Sequence, residues 1–273
     1  MRKKNYARVL TIAGSDSGGG AGIQADLKTF SANQCYGMSV ICALTAQNTV
    51  GVKGIHAVPL DFVREQIDAV LSDIGADAVK IGMLYSAGLV EAVSEELRRF
   101  KVKNIVLDPV MIAQSGDALV QEDAIDALKE LLVPMAEIIT PNIPETAALL
   151  GKKVERPEQV NHNLAPEICR LGCQHVLVKG GHSSGTTSDD ILYCCDSGRQ
   201  IEFPAPRVNT NNNHGTGCTL SSAIAAHIAR GANVIDAVGK AKEYITGALI
   251  AGASYQLGQG HGPVHHFYAQ FQD

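Results

Sequence analysis

Several features are missing from the chain, and each absence narrows the reading. No apolar run marks a membrane span: Val9-Leu10-Thr11-Ile12-Ala13 ends at Gly14-Ser15-Asp16. Although Met1-Arg2-Lys3-Lys4-Asn5-Tyr6 ahead of it is basic, the run is also too short for a secretory signal. An excess of Lys and Arg is missing too. With 23 basic and 28 acidic side chains the formal net charge is -5, which argues against nucleic acid as a partner and leaves a small anionic substrate allowed. No linker, charge block, internal repeat or low-complexity segment divides the 273 residues, and 45% of them are hydrophobic, so residues 1–273 are expected to form one domain around a large core. The seven cysteines are odd in number and follow no framework of spacings. That pattern predicts a reducing, cytoplasmic setting rather than a disulfide-stapled secreted protein. Finally, the glycines of Gly14-Ser15-Asp16-Ser17-Gly18-Gly19-Gly20-Ala21-Gly22 do not fall as G-x-G-x-x-G, and no Gly-Lys-Ser/Thr ending occurs, which disfavours Rossmann and Walker-type phosphate sites.

What is present centres on Asn213-His214-Gly215-Thr216-Gly217-Cys218-Thr219, followed by the small-residue run Leu220 to Ile228. Leu220, Ala223, Ile224, His227 and Ile228 recur at helical spacing and Gly231 supplies a stop, which predicts a helix beginning near Cys218 or Thr219. Gly215 and Gly217 allow a sharp turn that gathers amide N–H groups at the positive end of the helix dipole, a place suited to a phosphate oxygen. The same dipole is expected to lower the Cys218 thiol from roughly 8.5 toward neutrality and make it a base. The competing reading is a small buried residue at a crowded helix start.

The turn His214-Gly215-Thr216-Gly217-Cys218-Thr219 resembles the anion-hole motif of the hydroxymethylpyrimidine and phosphomethylpyrimidine kinases of thiamine synthesis, members of the ribokinase-like superfamily. Ala13 to Lys28, with its Gly-Ser-Asp-Ser-Gly-Gly-Gly-Ala-Gly run, is similar to the N-terminal signature of the same family, and the likeness covers nearly the whole chain. It implies ATP-dependent phosphorylation of 4-amino-5-hydroxymethyl-2-methylpyrimidine, and of its monophosphate to the diphosphate. By resemblance, Gly215, Thr216, Gly217 and Cys218 form the catalytic turn. Gly14, Asp26, Gln47, Met83 and Val110 form the pyrimidine pocket, while Lys179, Gly181, Asn142, Glu145 and Asn213 meet ATP. Asp108 and Glu145 would attend Mg2+, and a requirement for a monovalent cation is left open. A homodimer is implied by resemblance alone. One departure is Asn213, where the family usually carries threonine; asparagine keeps an acceptor, so altered nucleotide affinity is expected rather than lost activity.

The residues themselves support parts of this. Asp26 lies one helical turn after Gly22 and is expected to point back toward the loop, although an exposed helix carboxylate is the plainer reading. The Gln47 amide, just past an apolar strand, offers a donor and an acceptor to an aminopyrimidine edge. Asp108 follows the strand Ile105-Val106-Leu107, and its oxygens suit Mg2+ or its water shell. Asn142 and Glu145 are three apart across a helix start, an N-x-x-E spacing that is also a capping arrangement. Lys179 follows His175-Val176-Leu177-Val178, and the polar run 183–190 is expected to loop over the site. Lys80, inside the apolar run Ala78 to Gly82, is expected to reach a strand end and is given no role. The tail from Gly258, with His261, His265 and His266, reads as solvated, since no cysteine spacing supports zinc.

Strands alternating with helices throughout predict a three-layer α/β/α sandwich with a mainly parallel sheet, its ligands beyond the carboxyl ends of the strands. A pyridoxine or pyridoxal kinase on the same scaffold is the nearest rival, and Gln47 argues against it. A cysteine hydrolase using Cys218 with His214 lacks a third orienting group, and a non-catalytic nucleotide-binding regulator would not need Cys218.

Overall fold

Alternation along the strands decides the layers. Val9 and Thr11 of the first strand face one side of the sheet and Leu10 and Ile12 the other, so every strand buried on both faces needs helices above and below. In the computed structural model, which describes residues 4–111, 120–152, 164–181 and 185–271, this is what forms. The strands are β1 (Arg8–Gly14), β2 (Tyr36–Gln47), β3 (Val52–Ala57), β4 (Ala78–Ile81), β5 (Ile105–Leu107), β6 (Ile138–Ile139), β7 (His175–Val178), β8 (Asp190–Cys194) and β9 (Gln200–Phe203). The helices are α1 (Gly22–Ala32), α2 (Leu60–Asp73), α3 (Ala87–Arg99), α4 (Glu122–Ala127), α5 (Ile143–Leu149), α6 (Ala165–Cys169), α7 (Thr216–Ala229) and α8 (Val234–Gly252).

One nine-stranded sheet runs in the order β3-β2-β1-β4-β5-β6-β7-β8-β9. Strands β2 through β7 in that order are parallel, while β3 pairs with β2, and β8 with both of its neighbours, antiparallel. One face packs Leu10, Ile12, Val79, Ile81 and Leu107 beneath α2 to α6, and the other packs Val9, Ala78, Val106 and Leu177 beneath α1, α7 and α8. The three-layer sandwich is therefore present. No helix among the described residues is long and apolar enough to cross a membrane.

Helix α7 sits against β1, β4 and β5 between α1 and α8. Its buried stretch Ser221-Ser222-Ala223-Ile224-Ala225-Ala226 is mostly small, which lets the backbone approach the sheet closely and holds its first turn over the strand ends. Three expectations about elements need correcting. The helix begins at Thr216, earlier than Cys218, because Gly215 (φ 78°) is the residue before it and turns the chain. Strand β2 extends to Gln47 and folds back into β3, a hairpin for which the turn Asn48 to Gly51 was the available signal. The tail is not simply solvated: Val264 and His266 are buried, and the His261 N–H and His214 N–H bond to Thr49 O (2.9 Å) and Gly262 O (3.0 Å). The odd cysteine count suggests no pairing, yet Cys169 and Cys195 are joined by a disulfide, brought together as α6 packs beside β7 and β8 pairs with it. Spacing alone does not reveal such a pair. Residues 1–3 of the basic start, and 183 and 184 of the expected loop over the site, lie outside the described residues.

Candidate active site

Beyond the carboxyl ends of the parallel strands lies a cavity of about 520 Å³. Two turns close on each other at its centre. The glycine loop after β1 is tied around Asp16, whose carboxylate accepts N–H bonds from Gly18 (2.8 Å), Gly20 (3.0 Å) and Ala21 (2.9 Å). His214, from the turn before α7, meets the same carboxylate through Nε2 at 2.8 Å. Burial raises the Asp16 carboxyl, but His214 and the loop amides outweigh it and hold the group below the usual carboxylate range. Gly215 is required here on two counts: its φ is 78°, and a Cβ would lie 1.8 Å from Gly20 O. The Thr216 N–H donates to Asn213 O (3.3 Å) and Thr219 N–H to Gly215 O (2.8 Å). The Gly217 and Cys218 N–H groups between them have no partner among the described residues, so they face the cavity as first-turn donors.

One wall carries an ion cluster. Lys179 Nζ lies 2.7 Å from Asp108 Oδ1 and 3.7 Å from Glu145 Oε2. Asp108 also accepts from Thr140 Oγ1 (3.1 Å) and from Ser221 Oγ of α7 (3.0 Å). Burial would raise Asp108, yet Lys179 and Lys80 hold it below its ordinary range. Glu145 goes the other way, pushed up to about 7 by burial, with Lys179 opposing and Asp108 adding to the rise. Asn142 and Glu145 also form a capping box at the start of α5, the Asn142 N–H donating to Glu145 at 2.7 Å and the Glu145 N–H to Asn142 at 2.8 Å. The capping reading of that spacing is therefore present, in two residues that also line the cavity.

In the floor is a second pair, Lys80 and Asp26, both fully buried, of which Lys80 lines the cavity. Lys80 Nζ is 3.0 Å from each Asp26 oxygen, and Asp26 also accepts from Thr11 Oγ1 (2.6 Å) and Ser222 Oγ (2.6 Å). Thr11 and Lys80 are register partners on β1 and β4, which puts them on the α1 and α7 face of the sheet. The expectation that Lys80 reaches a strand end rather than the core holds in part: it lines the cavity near the end of β4, yet it is fully buried and Asp26 on α1 neutralises it. Asp26 itself does not line the cavity. Its carboxylate faces the sheet, so the expected contact with the pyrimidine is replaced by bonds to Lys80, Thr11 and Ser222.

Cys218, half-buried at the floor, also departs from expectation. Burial pushes its thiol up to about 11, Lys80 pulls it down, Asp26 and Asp108 push it up, and the Gly22 N–H on the sulfur pulls it down. The helix terminus alone does not bring the thiol toward neutrality, because desolvation by the packed turn is the larger influence.

Of the residues singled out in the sequence, Gly14, Gln47, Met83, Val110, Asp108, Asn142, Glu145, Lys179, Gly181, Asn213, Gly215, Thr216, Gly217 and Cys218 all line this cavity. Gln47 and Met83 lie toward β1 and β2, with Gln47 Nε2 3.5 Å from His214 Nε2. Asn213 Oδ1 is 3.1 Å from His261 Nδ1 of the tail. Sequence reasoning missed Asp16, whose loop of small residues is a turn signal, and the pair Lys242 and Asp190 (2.8 Å), in which Asp190 also receives the Gly180 N–H at 2.9 Å. Lys242 is masked in the sequence by its place in a regular helical repeat.

Residues 16–265 match the family model for phosphomethylpyrimidine kinase. The chain is 50% identical over 267 residues to the hydroxymethylpyrimidine/phosphomethylpyrimidine kinase of Rhizobium meliloti, covering 98% of this chain and 99% of the relative. To the enzyme of that name from Escherichia coli it is 49% identical, covering 95% and 97%. Among solved structures, a Bacillus subtilis pyridoxal kinase bound to ADP superposes with a TM-score of 0.89 at 34% identity, covering 98% of this chain and 100% of that one. A Clostridium difficile phosphomethylpyrimidine kinase superposes with a TM-score of 0.77 at 44% identity, covering 89% and 99%. A family model spanning most of the chain, together with relatives half identical from end to end, identifies it as a member of the phosphomethylpyrimidine kinase family, built on the ribokinase-like fold.

Proposed function

We propose that the chain catalyses ATP-dependent phosphorylation of 4-amino-5-hydroxymethyl-2-methylpyrimidine, and then of its monophosphate, in thiamine synthesis. The observation that carries this is the convergence on one cavity of a pyrimidine wall (Gly14, Gln47, Met83 and Val110), a phosphate wall (Lys179, Asn142 and Glu145), and the Gly215 to Cys218 turn between them. The thiolate form of Cys218 takes the hydroxymethyl proton and becomes the thiol, the oxygen forms its bond to the γ-phosphorus, and the bond from that phosphorus to the bridging oxygen of ADP breaks. The Gly217 and Cys218 N–H groups and Lys179 face the charge on the transferred group. In the second step the phosphate monoester already offers an anionic oxygen, so no proton acceptor of this kind is needed.

Asp108 and Glu145 suit Mg2+ chemically, being hard oxygen donors beside a phosphate site. Their oxygens already serve Lys179, Thr140, Ser221 and the Asn142 N–H, which favours holding the ion through its waters. When bound, Mg2+ supplies neutralising charge to the nucleotide phosphates.

Pyridoxal kinase activity is the second reading, favoured by the TM-score of 0.89 to the Bacillus subtilis pyridoxal kinase. Products formed from Mg-ATP and equal amounts of the hydroxymethylpyrimidine and pyridoxal, read by mass spectrometry, decide between them. Pyrimidine mono- and diphosphate are expected; mainly pyridoxal phosphate would move the assignment, and no ATP-dependent product would remove it. The proposal extends to residues 1–273 working as one domain, in the cytoplasm, where the Cys169–Cys195 bond would meet a reducing environment. It also extends to a homodimer, supported by the exposed Leu44, Ile55 and Phe62 around the open β3 edge.

A further inference from the structure

Lys80 has no part in the reading above, yet its surroundings call for one. An ammonium fully withdrawn from water is held by one carboxylate, Asp26, which also accepts from Thr11 and Ser222. As a source of stability this is a poor device, since a buried ion pair is often no better than apolar side chains of the same volume. Its position says more. Lys80 and Cys218 line the same cavity, one from β4 and the other from the first turn of α7. Helix α1, whose first N–H group reaches the Cys218 sulfur, also carries Asp26.

The charged groups facing that sulfur are Lys80 from β4, Asp26 from α1, Asp108 beyond β5 and Lys179 beyond β7. Lys179 is committed to Asp108 and Glu145, and Asp26 is saturated by three donors. Lys80, by contrast, has one carboxylate bonded to it among the described residues. Ser222, four residues after Cys218 on the same face of α7, donates to Asp26 at 2.6 Å, and Asp26 holds Lys80 at 3.0 Å, so the ion pair lies along the helix face that carries the sulfur, where the positive charge of Lys80 favours the thiolate.

We propose that Lys80 is a positioning residue for proton transfer: anchored by Asp26, its ammonium stabilises the Cys218 thiolate and so sets how readily the sulfur takes the hydroxymethyl proton. This rests on the assignment of Cys218 as proton acceptor. In the step the sulfur gains the proton, the oxygen gains the phosphoryl group, ADP leaves with the electron pair of the broken bond, and Lys80 keeps its own proton throughout. Asp26 moderates the pull, since an overstabilised thiolate would be too weak a base.

The test is the rate at which the neutral reagent iodoacetamide alkylates Cys218 at about pH 8.5, read peptide by peptide in a mass spectrometer. Below its pKa a thiol reacts in proportion to its thiolate fraction, so a shift of one pH unit reads as roughly a tenfold change. Lys80→Met slows alkylation about tenfold or more, and Asp26→Asn speeds it. Loosened packing would speed both, so a merely structural role does not produce the slower rate. Should a single variant fail to fold, Lys80→Met combined with Asp26→Asn removes both charges together; because Lys80 outweighs Asp26 at the sulfur, alkylation is slower there too, by less. An unchanged or faster rate in the folded Lys80 variants overturns the proposal. The base assignment is read separately from kcat on the alcohol. If kcat falls with the alkylation rate, that assignment stands; if alkylation slows and kcat holds, Cys218 is not the base, while the link between Lys80 and the sulfur survives.

Discussion

Two lysines belong to the ends of apolar strands in this molecule, Lys80 inside β4 and Lys179 just past β7, and they end in opposite circumstances. Lys179 lies at the cavity wall with two carboxylates around it, one lysine for Asp108 and Glu145 together. Lys80 lies in the floor, fully buried, with one carboxylate that two hydroxyls also serve. The first cluster has two carboxyls for one lysine, and burial, with Asp108 adding to it against Lys179, keeps a proton on Glu145 up to about 7, so cations have a reason to enter. The second is balanced and fully buried. Charge count and access, rather than residue type, separate a group that meets ligand from one that acts through a neighbour.

That contrast can be tested in order of expected effect. Cys218 lies between the clusters, and Cys218→Ala should lower the first phosphorylation by roughly 10²- to 10⁴-fold while lowering the second much less. Separate assays on the alcohol and the monophosphate check this, and equal losses would sink the idea that the alcohol alone needs a base. Next, Lys80→Met leaves Asp26 buried and unpaired and should cost about 3–5 kcal/mol of stability. Lys179→Met, whose carboxylate partners keep Thr140, Ser221 and the Asn142 N–H, should cost less stability than that and lower kcat/KM for ATP by roughly 10²-fold or more. Denaturant melts beside nucleotide kinetics would show whether the two losses divide in this way; matching profiles for the two variants would erase the distinction.

A smaller effect follows from Glu145. Its folded pKa is raised, from 4.5 to about 7, so the native state binds the proton more tightly than the unfolded chain. The stability this contributes is fully present below pH 4.5 and is lost as pH rises through 7. Glu145→Gln, which keeps an acceptor for the Asn142 N–H, should remove a slope on the order of 2 kcal/mol between those limits. Melts at about pH 5 and pH 8 measure it; parallel losses in variant and parent would count against the assignment. The smallest change expected is Ser222→Ala, which removes one hydrogen bond to Asp26 while Lys80 and Thr11 remain. It should cost about 1–2 kcal/mol in the same melts and leave nucleotide KM unchanged.

Much of the fold could be read from the chain because its signals are local. Apolar runs closed by glycine or proline gave most of the parallel strands, and the Asn142 to Glu145 spacing gave the start of α5. The cavity residues followed from the two glycine motifs, which need little beyond their own backbone. Failures came where a distant partner decides. Whether Lys80 stays at a strand end or sits in the core depends on Asp26 arriving from α1, and whether Asp26 faces the pocket depends on Lys80 being there. The Cys218 dipole argument was sound for an isolated helix, but the packing that desolvates the thiol is tertiary. The disulfide and the docking of the tail joined segments remote in sequence, and β3 is a mostly exposed edge strand with little apolar pattern.

The tail has one more consequence, for the order in which the molecule is made. Thr49, in the β2–β3 hairpin, bonds to the N–H groups of Gln259, Gly260 and His261, and Gly262 holds the backbone of His214. A growing chain that has reached Gly252 already carries every side chain of the cavity, yet neither the hairpin nor the phosphate turn has met its brace. Emergence from the ribosome is therefore not enough to set the site, and its final shape waits on a dozen residues that take no part in the chemistry.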